Sequence, residues 1–210
     1  MIVTMQDVSQ QIAKFLLEIE AVKFNVKEGF TWTSGIKSPI YCDNRIINSK
    51  VEVRDAVINA FVDIISNKYI KKTDIIAAVA TGGMTYGILA ADRLRLPFIY
   101  VREERKQHGL MKLIEGEYQK GDRVVLIEDH ISTGGSSLRA IEALQNEGLE
   151  IVCLISIMTY GFKKAEQSYA SKNIKHESIC NLDVVLDVAE QQGIINSQDK
   201  DNILQFRNSH

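Results

Sequence analysis

Three short runs of apolar residues constrain the fold of this chain more than any other feature. They lie at residues 75–79, 124–127 and 151–158. Each run is continuous rather than alternating, which is typical of strands buried on both faces of a parallel sheet. Amphipathic helical patterns accompany these runs, at residues 51–65, 84–94 and 136–146. This alternation predicts an α/β fold with a parallel sheet covered by helices on both faces.

The other segments fit one domain over residues 1–210. Residues 5–20 have apolar side chains at helical spacing. Residues 30–42 are rich in aromatic and β-branched residues, which predicts two short strands around a turn at Ser34-Gly35. A further strand is predicted at 97–101, whereas the polar stretch at 102–121 shows no hydrophobic period. The last 50 residues predict two outer helices, at 182–189 and 198–207.

Composition excludes several classes of protein. The net charge is -2, from 25 basic and 27 acidic residues, so no global basic excess exists to bind nucleic acid or an acidic membrane. No apolar run approaches the ~18 residues of a membrane span, and we expect no signal peptide. Cys42, Cys153 and Cys180 are isolated, without a CxxC pair. An odd, scattered count argues against disulfides and a zinc site and predicts a cytoplasmic protein.

Residues 124–137 carry the most chemical information. The apolar strand is predicted to end in two acids, Glu128 and Asp129, and a small glycine- and hydroxyl-rich loop then precedes a helix. A helix N-terminus offers free N–H groups and partial positive charge, which suit a phosphate. Gly134 and Gly135 allow close approach of the backbone. The two carboxylates would repel a phosphate, so we expect them to accept hydrogen bonds from sugar hydroxyls or to face a metal ion.

Common nucleotide-binding loops do not account for this segment. The chain contains neither a G-x-x-x-x-G-K-[ST] phosphate loop nor a G-x-G-x-x-G dinucleotide motif. A capped strand-to-helix turn without a ligand is the simplest alternative. However, paired acids together with the hydroxyls of Ser132, Thr133, Ser136 and Ser137 exceed what a helix cap requires.

Residues 128–136 resemble the phosphoribosyl-pyrophosphate (PRPP) signature of type I phosphoribosyltransferases. The resemblance implies that Asp129 takes part in catalysis and that Ser132 also contacts the acceptor base. We interpret His130 as a variable position that faces the core or solvent. The residues that the resemblance assigns to PRPP in this segment are Glu128, Asp129, His130, Ile131, Ser132, Thr133, Gly134, Gly135 and Ser136.

Residues 102–109 resemble the mobile catalytic loop of orotate phosphoribosyltransferases. Arg102, Lys106 and His108 match its cations, which implies catalytic and PRPP-binding roles for all three. Cations on a departing pyrophosphate stabilise charge that grows in the transition state, and a lid excludes water. Glu103 stands where many relatives have a second Lys, which lowers the local positive charge; Arg105 is a candidate to compensate. Taken alone, the segment also fits a solvated charged loop.

Residues 30–45 resemble the N-terminal hood motif of the same family, and Ser34 to Tyr41 is its most discriminating part. Some relatives carry a Lys before Ser-Gly; here Lys37 is the nearest cation and is the candidate contact to orotate besides Ser132. Residues 81–83 resemble the family's pyrophosphate-binding turn, and residues 157–164 resemble a T-Y-G-x-K-K segment of one bacterial branch. No residue of this chain is assigned to the orotate carboxylate.

The resemblance implies a type I phosphoribosyltransferase-like parallel sheet flanked by helices. The core would span about 50–165, and a small hood would comprise about 1–45 plus parts of the C-terminal tail. The implied reaction transfers the 5-phosphoribosyl group from PRPP to orotate, giving orotidine 5′-monophosphate and pyrophosphate in pyrimidine (UMP) biosynthesis. Mg²⁺ is expected, held mainly through PRPP rather than by side chains.

The resemblance also implies a homodimer in which the 102–112 loop acts on the neighbouring subunit, with no nucleic-acid or membrane partner. Two alternatives remain open from the sequence. The chain could act on another base, since other phosphoribosyltransferases share the PRPP signature. It could also be a non-catalytic PRPP-sensing regulator; such proteins usually need a basic face or an added nucleic-acid-binding segment, which a net charge of -2 does not favour.

Overall fold

The computed structural model describes residues 4–32, 35–103 and 113–210. Ser34 of the hood motif and Lys106 and His108 of the charged loop therefore lie outside the described residues. Helices and strands are numbered in chain order: α1 Met5–Glu18, β1 Val22–Phe24, β2 Phe30–Thr31, β3 Lys37–Ser38, β4 Ile40–Cys42, α2 Val51–Lys68, β5 Ile75–Val79, α3 Met84–Leu94, β6 Phe98–Val101, β7 Ile114–Glu115, β8 Arg123–Ile131, α4 Gly135–Asn146, β9 Glu150–Thr159, α5 Lys163–Ser171, β10 His176–Asn181, α6 Leu182–Gln191 and α7 Ser197–Asn208.

A six-stranded sheet forms the centre of the molecule. Its strand order is β10-β9-β8-β5-β6-β7, and every neighbouring pair is parallel except β6 and β7. Successive residues of β8 alternate between two hydrophobic cores: Val125 and Ile127 belong to one, and Val124 and Leu126 to the other. Helices α1, α2, α3 and α6 contribute to the first core, and α4 and α5 contribute to the second. The predicted parallel sheet covered on both faces is confirmed.

The helix after β8 follows the predicted pattern. It begins at Gly135 and buries Ala140, Ile141 and Leu144 along one stripe. Gly148, just beyond its C-terminus, has φ of 85° and donates its N–H to the Gln145 carbonyl at 2.9 Å. A left-handed glycine after the last turn is a common way to satisfy the final carbonyls of a helix.

Strand β8 is longer than predicted. The chain does not leave the sheet at the two acids; it continues through Glu128, Asp129 and His130 to Ile131. The reason is that β9 extends equally far, so that Glu128 pairs with Ser156 and Ile131 pairs with Thr159. The acids are thus held by the ladder of the sheet rather than by a loop.

The C-terminal region adds a strand and a helix that the sequence pattern did not indicate. The two predicted helices are present as α6 and α7, but α5 and β10 precede them. Strand β10 begins with the polar residues His176, Glu177 and Ser178, so it lacks a continuous apolar run. It pairs with β9 at the edge of the sheet, where one polar side is tolerated.

The N-terminal segment forms two small antiparallel pairs rather than one. Strand β1 pairs with β4, and β2 pairs with β3. Trp32 follows β2, and its ring centroid lies 5.2 Å from Tyr160, 6.1 Å from Phe162 and 6.2 Å from Phe206 of α7. The N-terminal strands therefore pack on C-terminal residues beside the end of β9. No helix within the described ranges is long and apolar enough to cross a membrane.

Candidate functional site

A cavity of about 640 Å³ opens at the carboxyl ends of β5 and β8. Ligands bind at this edge in open α/β sheets because loops converge there and helix N-termini point toward it. Five parts of the chain line the cavity: the region of β2 to β4, the turn after β5, Glu103 after β6, the end of β8 with its loop and the start of α4, and Tyr160 after β9. Within the predicted PRPP signature, every residue from Glu128 to Ser136 is a lining residue.

Asp129 is held through both its backbone and its side chain. Its backbone carbonyl accepts a hydrogen bond from the Asn44 side chain at 2.9 Å, and its carboxylate lies 3.1 Å from Nδ1 of His130. Burial alone would raise the pKa of Asp129, but the His130 ring and the hydrogen bonds it receives lower the pKa below the ordinary value. Asp129 therefore stays ionised while 9% exposed at the cavity wall.

Glycines in the turn after β5 allow the turn to lie directly against β8. A Cβ atom on Gly82 would be 2.6 Å from Cγ of Asp129, and one on Gly83 would be 2.5 Å from the Ile127 carbonyl oxygen. Side chains at these positions would push the turn away from the acid. The segment predicted to bind pyrophosphate, residues 81–83, thus sits beside Asp129, with Thr81 and Gly82 lining the cavity.

Glu128 differs from Asp129 in its surroundings. Its carboxylate accepts hydrogen bonds from the Ser136 hydroxyl at 3.1 Å and from the Asp129 N–H at 3.2 Å. The side chain is only 3% exposed, and this burial, together with the charge of Asp129, raises the pKa of Glu128 well above its ordinary value. The two adjacent acids are therefore not equivalent: Asp129 carries the charge, and Glu128 ties β8 to the first turn of α4.

The structure places His130, which the sequence resemblance assigns to PRPP, at the wall of the cavity. Its ring lines the cavity and contacts Tyr160 edge-on, with centroids 6.1 Å apart. An ionised carboxylate only accepts hydrogen bonds, so Nδ1 carries the hydrogen toward Asp129. Burial would lower the pKa of His130, but the Asp129 carboxylate outweighs it and raises the pKa.

The loop after β8 presents a helix N-terminus to the cavity. Gly134 adopts φ of 77° and immediately precedes α4. It provides no side-chain hydrogen bond to the first turn, so the leading N–H groups of α4 remain available to an anion. Ser132, Thr133 and Gly135 complete the rim. The geometry supports the phosphate cradle that the sequence predicted.

Residues around the end of β4 contribute more to the cavity than sequence reasoning assigned to them. The Asp43 carboxylate accepts two hydrogen bonds from the Arg45 guanidinium, at 2.7 and 2.9 Å, and these lower the pKa of Asp43. The intervening Asn44 is fully buried and also accepts the Tyr86 hydroxyl at its carbonyl, at 2.6 Å. These residues end the hood motif at 30–45, but only the tertiary fold shows that Asn44 reaches Asp129.

The base of the charged loop is partly described. Arg102 follows β6, and its N–H donates to the Leu113 carbonyl at 2.9 Å, which brings the two ends of the loop together. Its guanidinium lies 3.4 Å from Glu115 and is not among the described lining residues of the cavity. Glu103 does line the cavity and lies 3.9 Å from the guanidinium of Arg139 on α4. The sequence pattern gives no sign of Arg139 as a site residue.

Lys37 occupies a different place. It lies in β3 and lines a second cavity of about 250 Å³, with Val26, Gly29 and Asn202 among its other lining residues. It does not line the main cavity. The assignment of Lys37 to orotate stays a prediction, as do those of Lys106 and His108.

Among the described residues, no group of three or more His, Cys, Asp or Glu side chains is arranged to hold a metal ion. The donor set fits a cation that arrives with phosphate oxygens as its main ligands, since Mg²⁺ commonly binds through one or two carboxylates plus substrate phosphates.

Comparison with known proteins defines the family. Residues 46–189 match the model of the phosphoribosyl transferase domain. The chain is 40% identical to an orotate phosphoribosyltransferase of Staphylococcus saprophyticus over 201 residues, which is 96% of this chain and 98% of that protein.

Two solved structures share the fold. The crystal structure of orotate phosphoribosyltransferase from Aeropyrum pernix has a TM-score of 0.75 and 28% identity, over 88% of this chain and 99% of that one. UMP synthase of Leishmania donovani has a TM-score of 0.82 and 29% identity, and it matches 98% of this chain with 43% of its own. The expected type I phosphoribosyltransferase-like sheet is thereby confirmed. The chain belongs to the orotate phosphoribosyltransferase family.

Proposed function

We propose that this protein transfers the 5-phosphoribosyl group from PRPP to orotate, giving orotidine 5′-monophosphate and pyrophosphate for UMP synthesis. One observation carries the proposal: an ionised acid, Asp129, lies in the same cavity as the uncapped N-terminus of α4. A phosphorylated sugar has the matching pair of groups, an anionic phosphate and neutral hydroxyls. The names of the relatives supply orotate as the base.

The phosphate cradle fixes the orientation of PRPP in this proposal. The 5′-phosphate lies on residues 132–136, where N–H groups and hydroxyls neutralise its charge without a counter-ion. The ribose hydroxyls then reach Asp129, which is ionised and accepts hydrogen bonds, and Glu128 beside it. The pyrophosphate extends toward the turn at 81–83. In this position it meets the backbone of Gly82 rather than a side chain.

The charged loop adds positive charge to a cavity whose described lining includes Arg45 and Arg139. Negative charge grows on the pyrophosphate as its bond to the ribose breaks, and cations placed there lower the barrier. We assign this role to Arg102, Lys106 and His108. The hydrogen bond between Arg102 and Leu113 keeps the base of the loop next to the cavity. In the dimer that we propose, the 102–112 loop serves the neighbouring subunit.

We assign the base to the aromatic part of the cavity lining. Trp32, Tyr41 and Tyr160 line the cavity there and offer flat apolar surface to a pyrimidine ring. Ser132 contributes a hydroxyl next to the end of β8. Arg45 lines the main cavity whereas Lys37 lines the second one, so Arg45 is the better-placed cation for the carboxylate of orotate.

Mg²⁺ is the proposed cofactor, and it would partly neutralise the pyrophosphate that carries it into the site. In this scheme the Asp129 carboxylate still accepts hydrogen bonds from the ribose hydroxyls. We place the enzyme in the cytoplasm because its three cysteines, Cys42, Cys153 and Cys180, are all free thiols and buried.

The decrease of orotate ultraviolet absorbance in the presence of PRPP tests the function. We expect a decrease that requires Mg²⁺ and that Asp129→Asn abolishes. Asp201→Asn is the matched control, because Asp201 is an exposed acid on α7. Turnover of adenine, uracil, xanthine or hypoxanthine instead of orotate would overturn the choice of base. PRPP binding without turnover of any base would indicate a sensor.

A further inference from the structure

The buried hydroxyl of Tyr169 contacts the phosphate cradle from behind. Tyr169 lies in α5, is fully buried, and does not line the cavity. Its hydroxyl oxygen is 2.6 Å from the hydroxyl of Ser137 in the first turn of α4. Ser137 is also buried, and it lies 3.1 Å from the Gly134 carbonyl oxygen, to which it donates. A chain of three hydrogen-bonded residues thus runs from α5 to Gly134, the residue that precedes α4.

The direction of this chain follows from the available hydrogens. A serine hydroxyl has one hydrogen, and that of Ser137 is given to the Gly134 carbonyl, which cannot donate. Tyr169 must therefore donate to Ser137. The Gly134 carbonyl also accepts the first backbone bond of α4, from the Leu138 N–H at 2.9 Å. Two hydrogen bonds converge on this carbonyl and set the plane of the peptide that follows Gly134.

The same tyrosine also limits the position of Gly134 by contact. A Cβ atom on Gly134 would lie 2.8 Å from the Tyr169 hydroxyl oxygen and 3.4 Å from Cβ of Ala165. Gly134 needs its left-handed φ of 77° to turn the chain into α4. The ring of Tyr169 is itself fixed against His176, with centroids 4.7 Å apart. Tyr169, which together with Ser137 we call the brace, is therefore held between His176 on one side and Gly134 on the other.

We propose that Tyr169 is a positioning residue for PRPP, acting through Ser137 on the phosphate cradle. The inference rests on the proposed function and extends it. By holding the peptide plane at Gly134, the Tyr169–Ser137 pair keeps the N–H groups of Gly135 and Ser136 directed at the 5′-phosphate before the substrate arrives. Preorganised donors bind an anion without the cost of ordering the loop. The residues that we assign to orotate do not take part in this chain of hydrogen bonds.

Tyr169→Phe removes the hydroxyl and keeps the ring. We expect the KM for PRPP to rise about three- to tenfold, the range of one net hydrogen bond, with kcat and the KM for orotate little changed. Ser137→Ala should raise the KM for PRPP similarly, and the double variant should add little to either. Tyr69→Phe is the matched control, since Tyr69 is a buried tyrosine whose hydroxyl bonds to Glu177 instead.

Calorimetric binding of ribose 5-phosphate separates this inference from the proposed function, because it needs no turnover. Weaker binding by Tyr169→Phe and Ser137→Ala, with Tyr69→Phe unchanged, supports the brace whichever base is used. Unchanged affinity and unchanged KM for PRPP, with only a loss of thermal stability, would overturn it. If Tyr169→Phe does not fold, Ser137→Ala and its conservative counterpart Ser137→Thr decide the matter, and the threonine hydroxyl should restore affinity.

Discussion

The carboxylate of Asp129 lies against the backbone of Gly82, with room for a hydrogen atom but not for a methyl group. A Cβ on Gly82 would meet all three carboxylate atoms at 2.6 to 2.7 Å. The strand that carries the acid and the turn after β5 are therefore mutually fitted. This contact defines where the ribose and the pyrophosphate meet in the proposed reaction.

Gly82→Ala should for this reason displace Asp129 and damage catalysis more than stability. A shift of a catalytic group by about 1 Å can cost on the order of 100-fold in rate, and we expect a fall of that size in kcat/KM. Gly193→Ala is the control, because Gly193 has φ of 70° and open space around it, so it imposes backbone strain far from the cavity. Equal kcat/KM for Gly82→Ala and the parent would contradict the fit.

Asn44 links the N-terminal segment to the acid, since its side chain donates to the Asp129 carbonyl and its own carbonyl accepts from Tyr86. Asn44→Ala leaves a buried carbonyl without that donor, which costs about 1–3 kcal/mol of the free energy of unfolding. Activity should fall as well, because the end of β8 loses an anchor. Chemical denaturation and kcat/KM measure the two effects, with exposed Asn146→Ala as the control. If Asn44→Ala changes neither the free energy of unfolding nor kcat/KM, the hydrogen bond from Asn44 to the Asp129 carbonyl is dispensable.

Much of the fold could be predicted because local sequence patterns indicate its main strands and helices. Continuous apolar runs located β5, β8 and β9, and helical spacing located α2, α3 and α4. Strand β10 was not predicted because its first three residues are polar and its position depends on pairing with β9. The extension of β8 to Ile131 was not predicted for the same reason. It depends on pairing with β9, which the sequence around Glu128 does not indicate.

The site was predictable only where one segment carries it. The helix N-terminus and its glycines lie together in sequence, so residues 132–136 could be identified directly. The partners of Asp129 could not, because Gly82 and Asn44 come from distant segments that meet only in the folded chain. The difference in charge between Glu128 and Asp129 likewise depends on burial and on the orientation of His130.

His130 should set the acid limit of activity through Asp129. The lowered pKa of Asp129 means that its stabilising charge is present above the ordinary carboxyl pKa and is lost as pH falls through the lowered value. The raised pKa of His130 means that its charge contributes at low pH and is lost as pH rises through the raised value. The Asp129–His130 ion pair is therefore present only at pH values between the lowered pKa of Asp129 and the raised pKa of His130.

His130→Gln removes the positive charge and leaves burial to raise the pKa of Asp129. The acid limb of the kcat/KM profile should consequently move to higher pH, which a pH series from the acid side measures. Asp129→Glu would be a poor control because its longer side chain moves the carboxylate. His210→Gln, at the C-terminal end of the chain, is the better control. An acid limb at the same pH in His130→Gln would show that the ring does not tune Asp129.

Lys106 tests the assignment of the charged loop. We expect Lys106→Ala to lower kcat by about 100- to 1,000-fold, as the removal of a donor to developing transition-state charge does elsewhere. Lys71→Ala removes a lysine that is exposed at the surface and should leave kcat unchanged. Turnover of Lys106→Ala within a few-fold of the parent would remove this residue from the mechanism.

Glu103 places a carboxylate where the pyrophosphate needs positive charge. It lines the cavity and lies 3.9 Å from Arg139, and both side chains are more than 60% exposed. Exposed pairs contribute at most about 1 kcal/mol, so Glu103→Gln should lower the KM for PRPP by no more than about fivefold. The gain should shrink at high ionic strength because salt screens exposed charges. Glu142→Gln removes an exposed acid further along α4 and is the control. An unchanged KM for PRPP at low salt would mean that Glu103 does not compete for the positive charge of Arg139.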